Sequence, residues 1–277
     1  MSRRLSAAAL TAATALALGA CATTAAPQTE QESALIMDME SRSLVPATAD
    51  ERESIANQDL LTQAAFWAEA YELNPADREA ATALSNVLRQ IGGVPRAIEI
   101  ARQALALFPD DAGLLSAYGL ALAAEGRGPQ AIEPLTRAVQ AEPGNWRLIN
   151  ALGVSLEQAG RTSAARARFQ EAMAIAPDEP AILSNLALSH ALAGEPDAAE
   201  PLLRRAMDND LASAQVRQNL ALVLALQGRF DEAERIASID TTPEMAAANM
   251  AYIRTLMTSP RRWDSLNEAA LRGSQQR

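Results

Sequence analysis

Apolar residues recur along this chain at steps of three and four, the spacing that gathers side chains on one face of an α-helix. From residue 78 onward such stretches alternate with short turns at a fixed interval. Gly92, Gly126, Gly160, Gly194 and Gly228 are spaced by 34. Pro75, Pro109, Pro143 and Pro177 keep the same step, and Leu211 continues their series. Five residues after each glycine stands an alanine (Ala97, Ala131, Ala165, Ala199, Ala233), and seven further on come Ala104, Ala138, Ala172 and Ala206. The stretch before each glycine carries Leu84, Tyr118, Leu152, Leu186 or Leu220, followed by the small residues Ser85, Gly119, Gly153, Ala187 or Ala221. A glycine supplies the left-handed backbone of a helix C-cap. Small residues belong where two helices cross closely. A proline opens a turn because it lacks the N–H of a continuing helix. Each unit is thus predicted to be two helices of about 12 to 14 residues joined by a turn. One such pair cannot bury its apolar faces alone, whereas stacked pairs share a continuous core. The expected fold is all-α, built from units 78–111, 112–145, 146–179, 180–213 and 214–240, the last truncated.

A period of 34 with small residues at positions 8, 20 and 27 and proline at 32 resembles the tetratricopeptide repeat (TPR). The resemblance implies a right-handed superhelical solenoid. A degenerate unit precedes the five, with Trp67, Ala70 and Pro75 at positions 24, 27 and 32 and a first helix weakened by Pro46, so the array reads as 51–240. The family's tryptophan at position 4 is replaced by Ala81, Leu115, Ile149, Leu183 and Arg217. Residues 241–277 leave the pattern. Pro243 suits the first turn of a new helix, and Met245, Ala248, Tyr252, Ile253 and Leu256 are expected to form its apolar face. Pro260 ends it, and a last short helix is expected around Trp263 to Leu271. These helices are expected to cap the open end of the solenoid.

The first twenty residues read as an address. Arg3 and Arg4 form a positive start, and Leu5 to Leu18 is an uncharged run too short for a comfortable membrane span but suited to a signal peptide. Leu18-Gly19-Ala20-Cys21 resembles the bacterial lipobox, which implies cleavage before Cys21 and lipidation of its sulfur and amine. The other reading is an ordinary signal peptide with an incidental cysteine. Two or three acyl chains anchor a protein stably, and Ala22 at the second mature position implies sorting to the outer membrane. The expected location is therefore its periplasmic face. Residues 21–50, rich in Ala, Thr, Ser, Gln and Glu, are expected to be a tether. Its apolar exception, Leu35, Ile36, Met37 and Met39, reads either as a docking helix or as linker.

Composition narrows the function. Lys+Arg is 24 against Asp+Glu 34, a net charge of −10 and a pI near 4.8, which argues against nucleic-acid binding. Cleavage would remove Arg3 and Arg4, leaving 22 − 34 = −12. All basic residues are arginine. About a fifth of the chain is alanine and only 4% is aromatic, which disfavours a β fold. One cysteine and one histidine exclude an internal disulfide, a thiolate zinc cluster and a multi-histidine metal site. His190 falls at position 11, where other units carry Leu88, Leu122, Leu156 and Leu224, and reads as a packing or groove-lining residue. Asp110, Asp111, Asp208 and Asp210 lie in turns, where aspartate caps helices. Gly92-Gly93 lacks the Lys-Ser/Thr of a phosphate loop. No catalytic constellation, cofactor site or metal site is expected, and no small-molecule substrate.

What remains is protein binding. In TPR arrays positions 2, 5, 9, 12 and 13 of the first helix line the concave groove. Here the early units supply Glu79, Asn86, Arg89 and Gln90, and the later ones Leu120, Ala123, Val154, Leu188, Ala191, Leu192, Leu222, Ala225 and Leu226. Asn185 and Asn219 stand at position 6. Without lysine a carboxylate clamp is not expected; an amphipathic helix or apolar peptide fits better. The competing expectation is that the C-terminal helices or neighbouring repeats fill this strip. The stretches Gln218-Asn219-Leu220-Ala221-Leu222, Gln227-Gly228-Arg229 and Ala247-Ala248-Asn249-Met250-Ala251-Tyr252 are similar to the TadD family, the TPR lipoprotein of the tight-adherence (Tad/Flp) pilus. That similarity implies a pilotin-like assembly factor for a secretin or another Tad subunit. The alternative is a general lipoprotein adaptor that recruits cell-envelope enzymes. Residues 51–77 are a candidate self-association surface.

Overall fold

The computed structural model describes residues 48–209 and 213–258, and thirteen helices with no strand occupy these residues. In order they are α1 (Ala49–Ile55), α2 (Leu60–Leu73), α3 (Arg78–Gln90), α4 (Val94–Leu107), α5 (Ala112–Ala124), α6 (Gly128–Ala141) and α7 (Trp146–Gln158). There follow α8 (Thr162–Ile175), α9 (Pro180–Leu192), α10 (Pro196–Met207), α11 (Ala214–Leu226), α12 (Phe230–Ala237) and α13 (Pro243–Thr258). The signal segment with Cys21, the tether up to residue 47 and the last helix expected around Trp263 lie outside the described residues.

The turns repeat one device. Gly92, Gly126, Gly160, Gly194 and Gly228 all adopt φ between 72° and 86°. The N–H of the residue after the glycine returns to the carbonyl of position 11, as in Arg127 N to Leu122 O at 2.9 Å and Arg229 N to Leu224 O at 2.9 Å. This closes the last turn of the first helix and fixes the entry of the second. A Cβ on Gly126 would touch nothing within 4 Å, so the cost of a side chain there is purely conformational. Gly126→Ala is expected to cost about 1 kcal/mol and lower the melting temperature by roughly 2–4 °C, measurable by circular dichroism. Side-chain caps start the helices. Asp77 accepts from Ala80 N, Asp111 from Leu114 N and Asn145 from Arg147 N.

First and second helices do different work. The backbone of each first helix runs close to that of the next first helix along the chain (α3 with α5, α5 with α7, α7 with α9, α9 with α11, α11 with α13), whereas second helices stand further apart and meet through long side chains, Arg204 with Glu232 at 2.7 Å and Tyr71 with Gln103 at 3.1 Å. The array therefore curves with its first helices on the inner side. Within a unit the crossing is close: a Cβ on Gly153 would lie 2.5 Å from the Phe169 ring, and one on Gly119 would lie 2.6 Å from Leu135. Ser85, at the same position, is buried and donates its hydroxyl to Ala97 O at 2.9 Å.

The ends depart from expectation. The tether expected to run to residue 50 gives way to helix at Ala49, because Thr48 and Glu51 form a reciprocal capping box. Pro46 thus precedes α1 instead of breaking it. Arg52 pins α1 to the array through Asp77 and through Glu79 at 2.6 Å, and its guanidinium lies over the Trp67 ring. That partner holds the Asp77 carboxyl below the usual carboxylate range. At the other end α12 has only eight residues where α4, α6 and α8 have 14. The inward face of α13 is Ala246, Met250 and Ile253, while Met245, Ala248 and Tyr252, expected to pack, stand exposed. The small Ala246 admits a close approach, flexible Met250 fills the gap, and Arg254 stacked 4.4 Å above the Phe230 ring fixes the rotation.

Candidate partner-binding groove

The concave side is lined by consecutive first helices, so its chemistry changes unit by unit. At its N-terminal part Glu79, Thr82, Asn86 and Asp111 border a polar hollow of about 780 Å³. Its carboxylates are already engaged: Glu79 with Arg52, and Asp111 with Arg78 at 3.3 Å and the cap of α5. One turn beyond Asn86, Arg89 is half-buried. Its Nε has no hydrogen-bond partner, and burial alone pushes its pKa down. Gln90, next to it, is exposed.

Toward the C-terminal part the wall turns apolar. Between α9 and α11 a hollow of about 510 Å³ is lined by Pro180, Ala181, Ser184, Asn185, Leu188, Val216 and Asn219, with Glu179, Ser213 and Gln215 at its rim. Asn185, Leu188 and Asn219, all expected at the groove from sequence, therefore meet at one site. Leu192, at the end of α9, is 76% exposed. Leu120 and Val154 are half-buried against the middle of the core, and Leu226 against its last part. Ala191 and Ala225 are buried and Ala123 half-buried, so these positions mostly pack.

The two asparagines stitch repeats together. Asn219 is 6% exposed; its Nδ2 donates to Ser184 Oγ at 2.7 Å, and its Oδ1 accepts from Gln215 Nε2 at 3.0 Å. Asn185 Nδ2 donates to Asn150 Oδ1 at 3.1 Å. Each bond between units spans 35 residues, from position 6 to position 5 of the unit before. Ser184 and Gln215 stand at positions 5 and 2, where the repeat places groove residues, and were passed over in favour of apolar ones; Val216, at position 3, joins the hollow only because the neighbouring unit stacks beside it.

Leu222 borders a second hollow of about 230 Å³ with Gln218, Ala221, Asn249, Met250, Tyr252 and Ile253. The α13 helix thus stands beside the strip as its next wall. Counted from Glu244, its inward Ala246, Met250 and Ile253 take positions 3, 7 and 10, which are buried in α11 as Val216, Leu220 and Val223. Met245, Ala248 and Tyr252 then take positions 2, 5 and 9, the groove positions. The line at position 9 runs Asn86, Leu120, Val154, Leu188, Leu222, Tyr252.

His190 is half-buried, with Nδ1 2.7 Å from Glu195 Oε2; Arg166 Nη1 reaches the same oxygen at 3.1 Å. These partners hold the Glu195 carboxyl below its usual range, the His190 hydrogen bond first. Arg166 also donates to Ser189 O at 3.0 Å, and Ser189 Oγ donates to Glu157 at 2.8 Å. The network ties α7, α8 and α9 together. Among the described residues no group of three or more His, Cys, Asp or Glu side chains could hold a metal ion.

Tetratricopeptide-repeat models match residues 82–146, residues 122–188, and residues 180–205 with 214–238. Among solved structures, TTC0263, a thermophilic TPR protein of Thermus thermophilus, is 21% identical. The match covers 64% of this chain and 99% of that one with a TM-score of 0.54, a likeness of fold. MamA of MSR-1 is 24% identical over 54% of this chain and 86% of that one, with a TM-score of 0.47. No curated protein matches the chain.

Proposed function

Since the chain belongs to the tetratricopeptide-repeat proteins, whose matches together span more than half of it, we propose that it is a lipid-anchored periplasmic scaffold for Flp/Tad pilus biogenesis or secretion. Arrays of this fold bind protein partners and are typically non-catalytic. The observation that carries the reading is the apolar strip around Leu188 and Leu192 on the concave face, open beside a polar N-terminal half. Exposed apolar surface of this kind marks an interaction site. The anchor and the pilus assignment rest on Leu18-Gly19-Ala20-Cys21 and on the stretch from Ala247 to Tyr252. In this reading the lipids on Cys21 fix the protein at the outer membrane. The strip then holds a helical segment of the secretin or another Tad subunit, raising its local concentration there.

Pull-down from detergent-solubilised membranes tests the partner. A secretin or another Tad component is expected; hydrolases without any secretion component would favour the adaptor alternative. Cys21→Ser is expected to release the protein from membranes with its helical content unchanged, and attachment that survives a carbonate wash would contradict acylation. The lysine-free sequence adds a chemical test. An N-acylated Cys21 leaves no primary amine, so an amine-reactive dye should not label the membrane form.

A further inference from the structure

The N-terminal part of the groove holds an arginine that no carboxylate neutralises. Among the described residues the other half-buried arginines, Arg52, Arg127, Arg137, Arg166, Arg168 and Arg217, each form an ion pair with a carboxylate. Arg89, also half-buried, forms none, and its Nε is shut off from water without a hydrogen-bond partner. A desolvated charge with no acceptor costs free energy. Packing does not demand an arginine here, since the same position 12 carries Ala123, Ala191 and Ala225 in three other units. Asn86, Arg89 and Gln90, at steps of three and four, share one face of α3, and the amides of Asn86 and Gln90 have no partner among the described residues either. The carboxylates on this side, Glu79 and Asp111, are engaged by Arg52 and Arg78 and leave Arg89 alone.

We propose that Arg89, with Asn86 and Gln90 beside it, receives an Asp or Glu side chain of the partner segment whose apolar part lies on Leu188 and Leu192. The proposal rests on the reading of this groove as the partner site and adds the partner's charge and register to it. A planar guanidinium takes a carboxylate through two parallel hydrogen bonds. A side-chain carboxylate is the form that a bound helix offers, since its side chains face the groove while its terminal carboxylate points along its axis. Packed helices lie about 8–10 Å apart, so the three steps from α3 through α5 and α7 to α9 span roughly 25–30 Å. At a rise of about 1.5 Å per residue, the acidic residue falls about 17 to 20 residues from the apolar contacts.

Photo-crosslinking of the full chain on membranes, with the photoreactive residue at the exposed Gln90, tests this. The adduct peptide should carry an Asp or Glu and lie about 17 to 20 residues from the peptide crosslinked at Leu188 in the same partner. Arg89→Gln should cut capture of that partner about tenfold or more. Its melting temperature should stay unchanged or rise, because a desolvated charge is removed; an arginine with a merely structural role would lower it. Replacing the partner's acidic residue by arginine should restore capture by Arg89→Glu and not by the unaltered chain. No adduct at 90, an adduct peptide without an acidic side chain or ending at the partner's terminal carboxylate, or capture unchanged by Arg89→Gln would overturn the proposal. If Arg89→Gln leaves capture intact while Leu188→Arg with Leu192→Arg abolishes it, this proposal fails and the groove reading stands. If that leucine pair leaves capture intact while Arg89→Gln abolishes it, the apolar strip fails as the partner site independently.

Discussion

Gly153→Leu is expected to destabilise the array by about 3 kcal/mol or more and to lower its melting temperature by roughly 6–12 °C. The first atom of any side chain at 153 would lie 2.5 Å from Cε1 and 2.7 Å from Cδ1 of Phe169, a fully buried ring at the centre of the core. Ring and backbone cannot both yield, because α7 and α8 are held by the same crossing that positions every unit. The neighbouring units suggest the remedy. At the same two positions unit 180–213 carries Ala187 with Leu203, both buried. Gly153→Ala combined with Phe169→Leu should therefore recover much of what Gly153→Ala alone loses, a coupling that a double-mutant cycle by thermal denaturation would measure. Additive losses would show that the crossing is looser than the distances imply. Gly126→Ala, at a glycine with open space around it, separates backbone strain from packing and should cost far less.

Leu188→Arg with Leu192→Arg is expected to weaken partner capture at least tenfold, about 1.4 kcal/mol, while shifting the melting temperature little. Leu192 is mostly exposed and Leu188 half-buried at the hollow between α9 and α11. Charge introduced there opposes an apolar partner without emptying the core. Leu222 is less suited to this test, since it borders α13 and its replacement would disturb that helix as well. Quantitative pull-down beside circular dichroism distinguishes the outcomes. Undiminished capture would remove the strip from the binding surface, and a large fall in melting temperature would make it core.

Most of the fold was legible because each repeated residue answers a local demand. The five glycines must adopt positive φ, and position 8 must be small where the helices cross; neither needs knowledge of distant contacts. The helix start at Ala49, missed by the expectation of a tether to residue 50, did have a local signal, Thr48 and Glu51 three residues apart as a capping box. The rotation of α13 had none. A one-residue shift turns a helix by about 100°, and what selects Ala246 over Met245 for the inside is the shortened α12 and the Phe230–Arg254 stack. Asn219 illustrates the same limit. Its position on α11 suggests a groove residue, but its partner Ser184 lies one unit back, so its burial emerges only from stacking. His190 keeps a leucine's place in the repeat and gains a carboxylate partner, Glu195, from the following turn.

As proposed, the concave strip of α9 holds a protein partner of the secretion machinery at the membrane. Site-specific photo-crosslinking on membranes measures it directly, with the photoreactive residue at Leu188 and, as control, at the exposed Ala164 on α8. An adduct at 188 is expected whose partner peptides come from a secretin or another Tad subunit, with no such adduct at 164. The same adducts at both positions, or none at 188 in the membrane-bound protein, would contradict it.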